Sequence, residues 1–492
     1  MSDKGKDSIT ETEVGAQHIV DNKELNIFEA LIPVVVLMGL LAFNIFFVPD
    51  QEWLGQYTNQ LILLMGGAVA MVDGFFNKVN FSLMVKEVWE NIKSVFVPIL
   101  ILFLVGALAG TWLVSGVIPA MVYYGLKVLN PEIFLPASVV ISALISIATG
   151  SSWTTSATVG IALVGIGTAL GLHPGMIAGA VISGAYFGDK MSPLSDTTNL
   201  APAMAGTDLF THIRYMSLTT VPTITIALIA FSIMSLSIDT TGSADVTNLL
   251  ATIESTFNIT PWLFLVPIAV IALILLKTKP LAALAIGVLL AAVFAFIFQS
   301  EILVGLSESK LGAVVNSIFT DTSIETDNEK LNELFSAGGM KGMLWTIYLI
   351  LCAMVFGGIM DAIGALSRIT KALLSIAKSV FGLFASTVVS CLGLNIIASD
   401  QYLAIVIPGK MFKNAYEDRN LAPQNLSRTL EDSGTVTSVL IPWNTCGAYQ
   451  SGVLGVSVSE YFVYAIFNWL SPFTTLFFAA VSIKIKSLGN QN

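Results

Sequence analysis

The sequence predicts an all-α polytopic membrane protein, in which about ten transmembrane crossings and two re-entrant hairpins form two inverted repeats with proline-broken helices. Three observations lead to this prediction. Of the 492 residues, 55% are hydrophobic and only 11% are charged, whereas soluble domains carry roughly 25% charged residues. Apolar runs of ~20 residues, long enough to cross ~30 Å of hydrocarbon, recur along the chain. Finally, one order of segments occurs twice.

The first 93 residues are expected to hold a tail and two spans. Residues 1–25 are polar and acidic, unlike a secretory signal peptide, and are predicted to be a disordered cytoplasmic tail. The unit 26–93 contains spans at 26–48 and 59–76. Cytoplasmic loops gather Lys and Arg, so the basic loop that follows these spans lies inside.

Repeat 1 is predicted over 94–238 as a span, an amphipathic connector, a hairpin with a polar tip, a proline-broken span and a last span. These segments are 94–117, 118–130, 133–170, 174–206 and 213–238. The linking region 239–341 contributes spans at 261–276 and 280–299, and its remaining loops, which are mainly acidic, are expected outside.

Repeat 2 is predicted over 342–484 with the same order of segments, followed by the C-terminal tail 485–492. The segments are 342–363, 365–380, 381–413, 423–456 and 460–483. The loops that are basic again fall on the inner side, so both termini are expected in the cytoplasm.

Matching positions in the two repeats lie at a nearly constant distance. Gly110 and Gly116 correspond to Gly358 and Gly364 at an offset of 248, and Pro193 corresponds to Pro442 at 249. Ser151 is paired with Ser399, again at 248. By the charge pattern the first span of repeat 1 runs outward and that of repeat 2 runs inward. Inverted repeats with broken helices are a recurring design of secondary transporters.

Four polar patches should converge if the repeats pack across a pseudo-two-fold axis. They read TGSSWTTS (149–156), MSPLSDTTN (191–199), NIIASDQY (395–402) and LEDSGTVTSVLIPWNT (430–445). A broken helix in hydrocarbon leaves peptide groups unpaired at a cost of several kcal/mol each. Hydroxyl, amide, carbonyl and carboxylate oxygens are the ligands that a hard cation prefers. We therefore predict a site for Na⁺ and protons built from the acids Asp189, Asp196, Asp400, Glu431 and Asp432. The predicted supporting ligands are Ser151, Ser152, Thr154, Thr155, Ser195, Thr197, Asn199, Ser399, Asn444 and Thr445.

Each of these assignments has a structural alternative. Asp196 and Asp400 could cap helix ends, and the hydroxyls could bond back to the preceding helical turn. Asp189 adjoins Lys190, although adjacent residues of a helix point to different faces. Arg428 precedes Asp432 by four residues and could neutralise it.

Several functional classes lack their sequence signatures. No HExxH motif, paired-cysteine pattern, Walker loop or acyl-transfer triad is present, so we expect neither an enzyme nor a cofactor. The net charge of −10 disfavours nucleic acid as a partner.

Three longer motifs carry a family resemblance. The stretches GAYFGDKMSPLSDTTNLAPAMAGTDLFTHIRYM, LEDSGTVTSVLIPWNTCGAY and ATGSSWTTSATVG closely resemble the NhaC family of sodium/proton antiporters, and the resemblance extends over about 26–484. It implies a homodimer of elevator-type carriers in lipid, with a static scaffold and a moving domain of hairpins and broken spans. It also implies one sodium site between 151–155 and 193–199, and a second between 399–400 and 444–445.

The leading hypothesis is exchange of cytoplasmic Na⁺ or Li⁺ for external H⁺ across a plasma membrane, which we expect to be the bacterial inner membrane. A carboxylate that holds either a proton or Na⁺ couples the two flows by competition. The alternative is Na⁺- or H⁺-coupled exchange or uptake of a small organic solute such as malate, lactate or an amino acid. Such an organic anion requires a buried Arg or Lys, so the positions of Arg428, Lys410 and Lys190 discriminate between the two.

Overall fold

The computed structural model of the chain describes residues 9–14, 17–48, 53–128, 131–237, 246–276 and 278–489. Eight of its helices are long and apolar enough to cross a membrane, and the number rises to ten if each of two bent helix pairs is one span. Only two short two-stranded sheets occur in the described residues. The prediction of an all-α polytopic membrane protein is therefore confirmed.

The N-terminal unit begins with a hairpin of β1 (Ile9–Val14) and β2 (Gln17–Asn22), which pair antiparallel. The described part of the predicted disordered tail is thus ordered, while residues 1–8 lie outside the described residues. The tail is ordered because it packs on the rest of the chain: Val20 and Leu25 are fully buried and Lys371 forms an ion pair with Asp21. The next helices are α1 (Ile27–Phe47), α2 (Thr58–Phe76) and α3 (Phe81–Ser94).

Repeat 1 starts with a span and an amphipathic helix and is then interrupted twice. Its helices are α4 (Phe96–Val114), α5 (Val117–Val128), α6 (Pro131–Thr149), α7 (Ser152–Thr155), α8 (Ile161–Ala169), α9 (Pro174–Met191), α10 (Asp196–Ala205) and α11 (Leu209–Leu236). A π-helical segment, Ser156–Gly160, joins α7 to α8. The first hairpin arm, α6, has 19 residues and is longer than the short half expected of a re-entrant loop, because its apolar run continues to Thr149.

The linking region contains more helix than its sequence indicated. It forms α12 (Val246–Thr256), α13 (Leu265–Leu275), α14 (Pro280–Phe298), α15 (Ser300–Leu306), α16 (Lys310–Phe319), β3 (Thr322–Ser323), α17 (Glu329–Leu334), β4 (Ser336–Ala337) and α18 (Gly339–Gly342). The pair of α15 and α16 is bent by 75° in the region expected to be an outer loop. This pair packs on α4, where a Cβ at Gly110 would collide with the carbonyl group of Ser317.

The second half repeats the order of the first. Its helices are α19 (Leu344–Ala362), α20 (Ala365–Ser375), α21 (Val380–Ile397), α22 (Gln401–Glu417), α23 (Pro423–Leu430), α24 (Thr445–Leu454), α25 (Val458–Tyr461) and α26 (Ile466–Ala480). After α23 come a π-helical segment, Glu431–Thr435, and a 3-10 turn, Ser438–Leu440.

Most corresponding helices of the two halves begin 248 or 249 residues apart. Helices α4 and α19 begin at 96 and 344, a difference of 248, and α10 and α24 begin at 196 and 445, a difference of 249. Gly116 and Gly364 both have positive φ, at 79° and 80°, and so do Gly150 and Ser399, at 70° and 59°. The one-residue shift before the hairpin tips pairs Ser399 with Gly150, so Ser151 corresponds to Asp400 rather than to Ser399.

Candidate functional site

The first hairpin tip is bonded to the first broken span through Asp189. The chain turns at Gly150 with φ of 70°, and Ser151 then caps α7 by accepting a bond from the Thr154 N–H at 3.1 Å. The next residue, Ser152, donates both its N–H (3.1 Å) and its hydroxyl (2.6 Å) to Oδ2 of Asp189. A carboxylate at the end of α9 therefore holds the tip in place.

Most of the polar groups at the break between α9 and α10 satisfy the backbone there. The Thr198 hydroxyl donates to the carbonyl groups of Asp189 and Lys190, both at 3.2 Å. Ser195 caps α10, and the Asn199 amide donates to the carbonyl groups of Pro193 (3.0 Å) and Ser195 (2.7 Å). These side chains keep a broken helix from leaving unpaired peptide groups.

The second hairpin tip also contacts the second broken span, here through the backbone. Ser399 has a φ of 59°, and its carbonyl group accepts a bond from the Thr445 N–H at 3.0 Å. Asp400 caps α22 by accepting bonds from the N–H groups of Tyr402 (2.8 Å) and Leu403 (3.0 Å). The Ser399 hydroxyl is buried without a hydrogen-bond partner in the described part of the chain.

Two asparagines organise the second break. Asn444 caps α24, and its amide group donates to the carbonyl group of Asn395 at 3.0 Å. The amide of Asn395 in turn donates to the carbonyl group of Gly434 at 2.7 Å, inside the π segment. Both asparagines are fully buried, so this network fixes hairpin and broken span together.

The two halves converge at Tyr402. This side chain lies close enough to Asp196, Asp400 and Asp189 to interact electrostatically with all three carboxylates. Trp153 and Tyr449 provide a second contact between the halves. Their rings stack with centroids 4.0 Å apart and planes inclined by 16°, and the Tyr449 hydroxyl donates to the carbonyl group of Trp153 at 3.2 Å.

A buried ion pair also bridges the halves. Lys190 of α9 is paired with Asp432 of the π segment, and both side chains are fully buried. Asp432 also accepts hydrogen bonds from the hydroxyls of Thr219 (2.8 Å) and Thr475. Asp432 is thus neutralised by Lys190, not by Arg428 as the sequence spacing allowed.

Glu431 and Arg428 have a different environment from their neighbour Asp432. Both are fully buried. The Arg428 nitrogens have no hydrogen-bond partner among the described residues, whereas the Glu431 carboxyl group interacts with the side chains of Thr435 and Lys190. The Arg428 guanidinium lies over the ring of Tyr215 at 4.7 Å from its centroid.

Apart from Glu431 and Asp432, which lie in the π segment, the predicted site residues fall into three groups. Asp189, Asp400, Ser152, Ser399, Asn444 and Thr445 lie at the contacts between hairpin tips and broken spans. Asp196 is near them but exposed, in the first turn of α10. The side chains of Ser151, Thr155, Ser195, Thr197 and Asn199 bond within their own segments, and for Thr154 the structure records a backbone bond to Ser151.

Sequence reasoning missed Tyr402, Tyr449 and Asn395 as site residues. Tyr402 and Asn395 belong to the polar tip 395–402, so their position was visible although their contacts were not. Among the described residues, no group of three or more His, Cys, Asp or Glu side chains could hold a metal ion. A cation at this place therefore needs hydroxyl and carbonyl oxygens as well as carboxylates.

Comparison with known proteins relates this chain to a family of antiporters. The profile of the family described as "Na+/H+ antiporter family" matches residues 184–483. The Na⁺/H⁺ antiporter NhaC of Alkalihalophilus pseudofirmus is 38% identical over 426 residues, which cover 86% of this chain and 91% of that protein. The NhaC of Bacillus subtilis is 35% identical over 418 residues, with coverage of 85% and 90%. A malate-2H⁺/Na⁺-lactate antiporter of Bacillus subtilis is 34% identical over 451 residues, with coverage of 90% and 92%.

Proposed function

The chain belongs to the Na⁺/H⁺ antiporter family, and from this premise we propose how it exchanges cytoplasmic Na⁺ or Li⁺ for external H⁺. It is an integral membrane protein and a secondary active transporter. One observation carries the proposal: Tyr402 interacts electrostatically with Asp189 and Asp196 of the first half and with Asp400 of the second. Carboxylates from both halves thus share one site.

In this mechanism Na⁺ binds between the hairpin tips and the broken spans. Asp189 and Asp400 supply the charge, and the hydroxyls of Ser152 and Ser399 and the carbonyl groups exposed at the breaks supply neutral oxygens, a ligand set suited to a hard cation. The same carboxylates bind protons when Na⁺ is absent. Because one carboxylate holds either ion, inward movement of H⁺ is coupled to outward movement of Na⁺.

Alternating access is proposed to be elevator-type. The hairpins α6–α8 and α21–α22 move with the broken spans, since the contacts of Asp189 with Ser152 and of Thr445 with Ser399 join each hairpin to a break. The scaffold belongs to a homodimer in the bacterial inner membrane, with both termini in the cytoplasm, as the positive loops indicate.

Everted membrane vesicles test this function. Respiring vesicles that contain the protein are acidified, and Na⁺, Li⁺ or K⁺ is then added without organic solute. We expect collapse of the pH gradient on addition of Na⁺ or Li⁺, and loss of this response in Asp189→Asn and Asp400→Asn at unchanged membrane abundance. Wild-type vesicles that do not respond to Na⁺ or Li⁺ would contradict the proposal.

A second function, coupled exchange of a small organic anion, is favoured by one observation. Arg428 is a buried guanidinium without a hydrogen-bond partner in the described chain, and arginine binds carboxylates well. A relative is a malate-2H⁺/Na⁺-lactate antiporter. If this second function is correct, Na⁺ should collapse the pH gradient of the same vesicles only when malate or lactate is also present.

A further inference from the structure

The hairpin of β1 and β2 covers the joint between the span α19 and the amphipathic connector α20. Gly364, which separates these two helices, has a φ of 80°, and a Cβ at this position would lie 2.7 Å from the backbone nitrogen of Asn22. The side chains of Val20 and Asn22 are 0% and 2% exposed. The backbone of β2 therefore fills the space beside Gly364.

The strand β2 contacts three different parts of the protein. It packs against α19, α20 and α22. The carboxyl group of Asp361, near the end of α19, accepts a hydrogen bond from the backbone N–H of Val20. On the connector, Lys371 is paired with Asp21. One strand thus joins a span, the connector that follows it and an arm of the second hairpin.

The corresponding joint of repeat 1 is covered by another kind of segment. Gly116 has a φ of 79°, and a Cβ there would meet the side-chain amide of Gln299. Gln299 is bonded in both directions to the backbone of Asn258, at 3.1 and 3.0 Å, and so belongs to the linking region between the repeats. The strands β1 and β2 instead pair with each other. This hairpin can leave Gly364 while its own hydrogen bonds stay intact.

The ion pairs that hold the hairpin in place are exposed. The side chains of Lys371 and Asp21 are 45% and 28% exposed, and those of Lys78 and Glu24, paired at 3.4 Å, are 77% and 41% exposed. Ion pairs at such exposure contribute little to stability. Docking therefore depends mainly on the few buried residues of β2, and a segment held by few buried contacts opens readily.

We propose that the hairpin of β1 and β2 is an autoinhibitory strap, which in its docked position holds α20 at a fixed angle to α19 and slows ion exchange. A connector that changes its angle at Gly364 must displace β2, because the backbone of Asn22 fills the space beside this residue. The inference rests on the proposed function in one respect: movement of α20 is a step of the exchange cycle.

A reversible cross-link tests the docked position. Asp21→Cys with Lys371→Cys places one thiol on each side of the ion pair, and the native cysteines are buried. In everted vesicles, a short bis-methanethiosulfonate reagent should slow the Na⁺-dependent collapse of the pH gradient at least about fivefold, and reduction should restore the rate. The two single-cysteine variants, treated in the same way, are the matched controls and should keep their rates. A cross-linked protein that works at its untreated rate overturns the proposal.

Release of the hairpin is tested by Val20→Asp. This substitution places another acid beside Asp361, which already interacts electrostatically with Glu87. The rate of Na⁺-dependent collapse should rise about twofold to fivefold, and hydrogen–deuterium exchange of the purified protein should become faster across α20. The control Lys23→Asp introduces the same acid at an exposed position of the same segment and should change neither quantity.

The two readouts separate a strap from a segment that only stabilises the fold. Faster hydrogen exchange across α20 in Val20→Asp together with an unchanged or lower transport rate overturns the autoinhibition. Because hydrogen exchange is measured on purified protein, it tests docking even where wild-type vesicles show no Na⁺ response, a result that refutes the proposed function instead. In that case, unchanged exchange across α20 in Val20→Asp still overturns the strap.

Discussion

Removing one partner of the buried ion pair of Lys190 and Asp432 should be among the most destabilising single substitutions in the two repeats. Both side chains are 0% exposed, and removing one partner of a buried pair typically costs about 3–5 kcal/mol. The two losses should differ. Without Lys190, the Asp432 carboxylate still accepts hydrogen bonds from two threonine hydroxyls. Lys190→Met should therefore cost about 3 kcal/mol of unfolding free energy. Without Asp432, the ammonium loses its carboxylate acceptor and keeps the ring of Phe467, 5.6 Å from its centroid, and its electrostatic interaction with Glu431, so Asp432→Leu should cost about 5 kcal/mol of unfolding free energy.

Unfolding of the purified protein by SDS in mixed micelles measures these free energies. The double variant Lys190→Met with Asp432→Leu should recover most of the loss, because replacing both charges by apolar groups is often neutral. Lys341→Met is the matched control, since its pair with Asp321 is 60% and 65% exposed and should cost less than about 1 kcal/mol. Additive losses in the double variant, or equal losses at Lys190 and Lys341, would refute the reasoning.

Three further predictions concern the tip, the scaffold and a helix cap. Ser152→Ala removes the shorter of two bonds to Asp189 and should raise the Na⁺ concentration for half-maximal vesicle response about tenfold; an unchanged value would remove this bond from the site. Gly358→Ala places a Cβ against the backbone of α3 and should cost about 1–3 kcal/mol of unfolding free energy, whereas Gly393→Ala, with open space, should not destabilise. Hydrogen bonds from Thr211 lower the pKa of Asp208, so its cap stabilises α11 above the ordinary carboxyl pKa and is lost as pH falls through the lowered value. Asp208→Ala should therefore lower the thermal midpoint by about 1–2 °C at pH 7, and the difference should vanish once the pH falls below the lowered pKa of Asp208.

The spans could be predicted closely from sequence because their signal is local. The spans expected at 26–48 and 59–76 run Ile27–Phe47 and Thr58–Phe76, since apolar runs end where polar residues begin. The linking region was less predictable. Helices α15 and α16 are short, and the pair is bent by 75°. Ser317 of α16 packs closely on Gly110, a contact that no local pattern reveals.

The site was predictable in outline and not in its contacts. The polar tips and breaks were visible as hydroxyls and acids in apolar sequence. Which acid meets which partner depends on tertiary packing: Asp432 lies four residues after Arg428 but pairs with Lys190, 242 positions away along the chain. The π segment Glu431–Thr435 was also not predicted from the sequence.

Different residue types at equivalent positions of the two halves make the site asymmetric within a symmetric frame. At the two tips the helix cap is Ser151 in one half and Asp400 in the other, and after the two breaks the cap is Ser195 in one and Asn444 in the other. At the second tip the acid Asp400 is itself the helix cap. At the first tip the acid is Asp189 of the broken span, which accepts a hydrogen bond from Ser152 of the tip. A cation at the second tip must compete with the two N–H groups that Asp400 already binds, while a cation at the first competes with Ser152. In the proposed mechanism the two tips should therefore bind Na⁺ with unequal affinity, so Asp189→Glu and Asp400→Glu, which keep a carboxylate, should shift the Na⁺ concentration for half-maximal vesicle response to different extents.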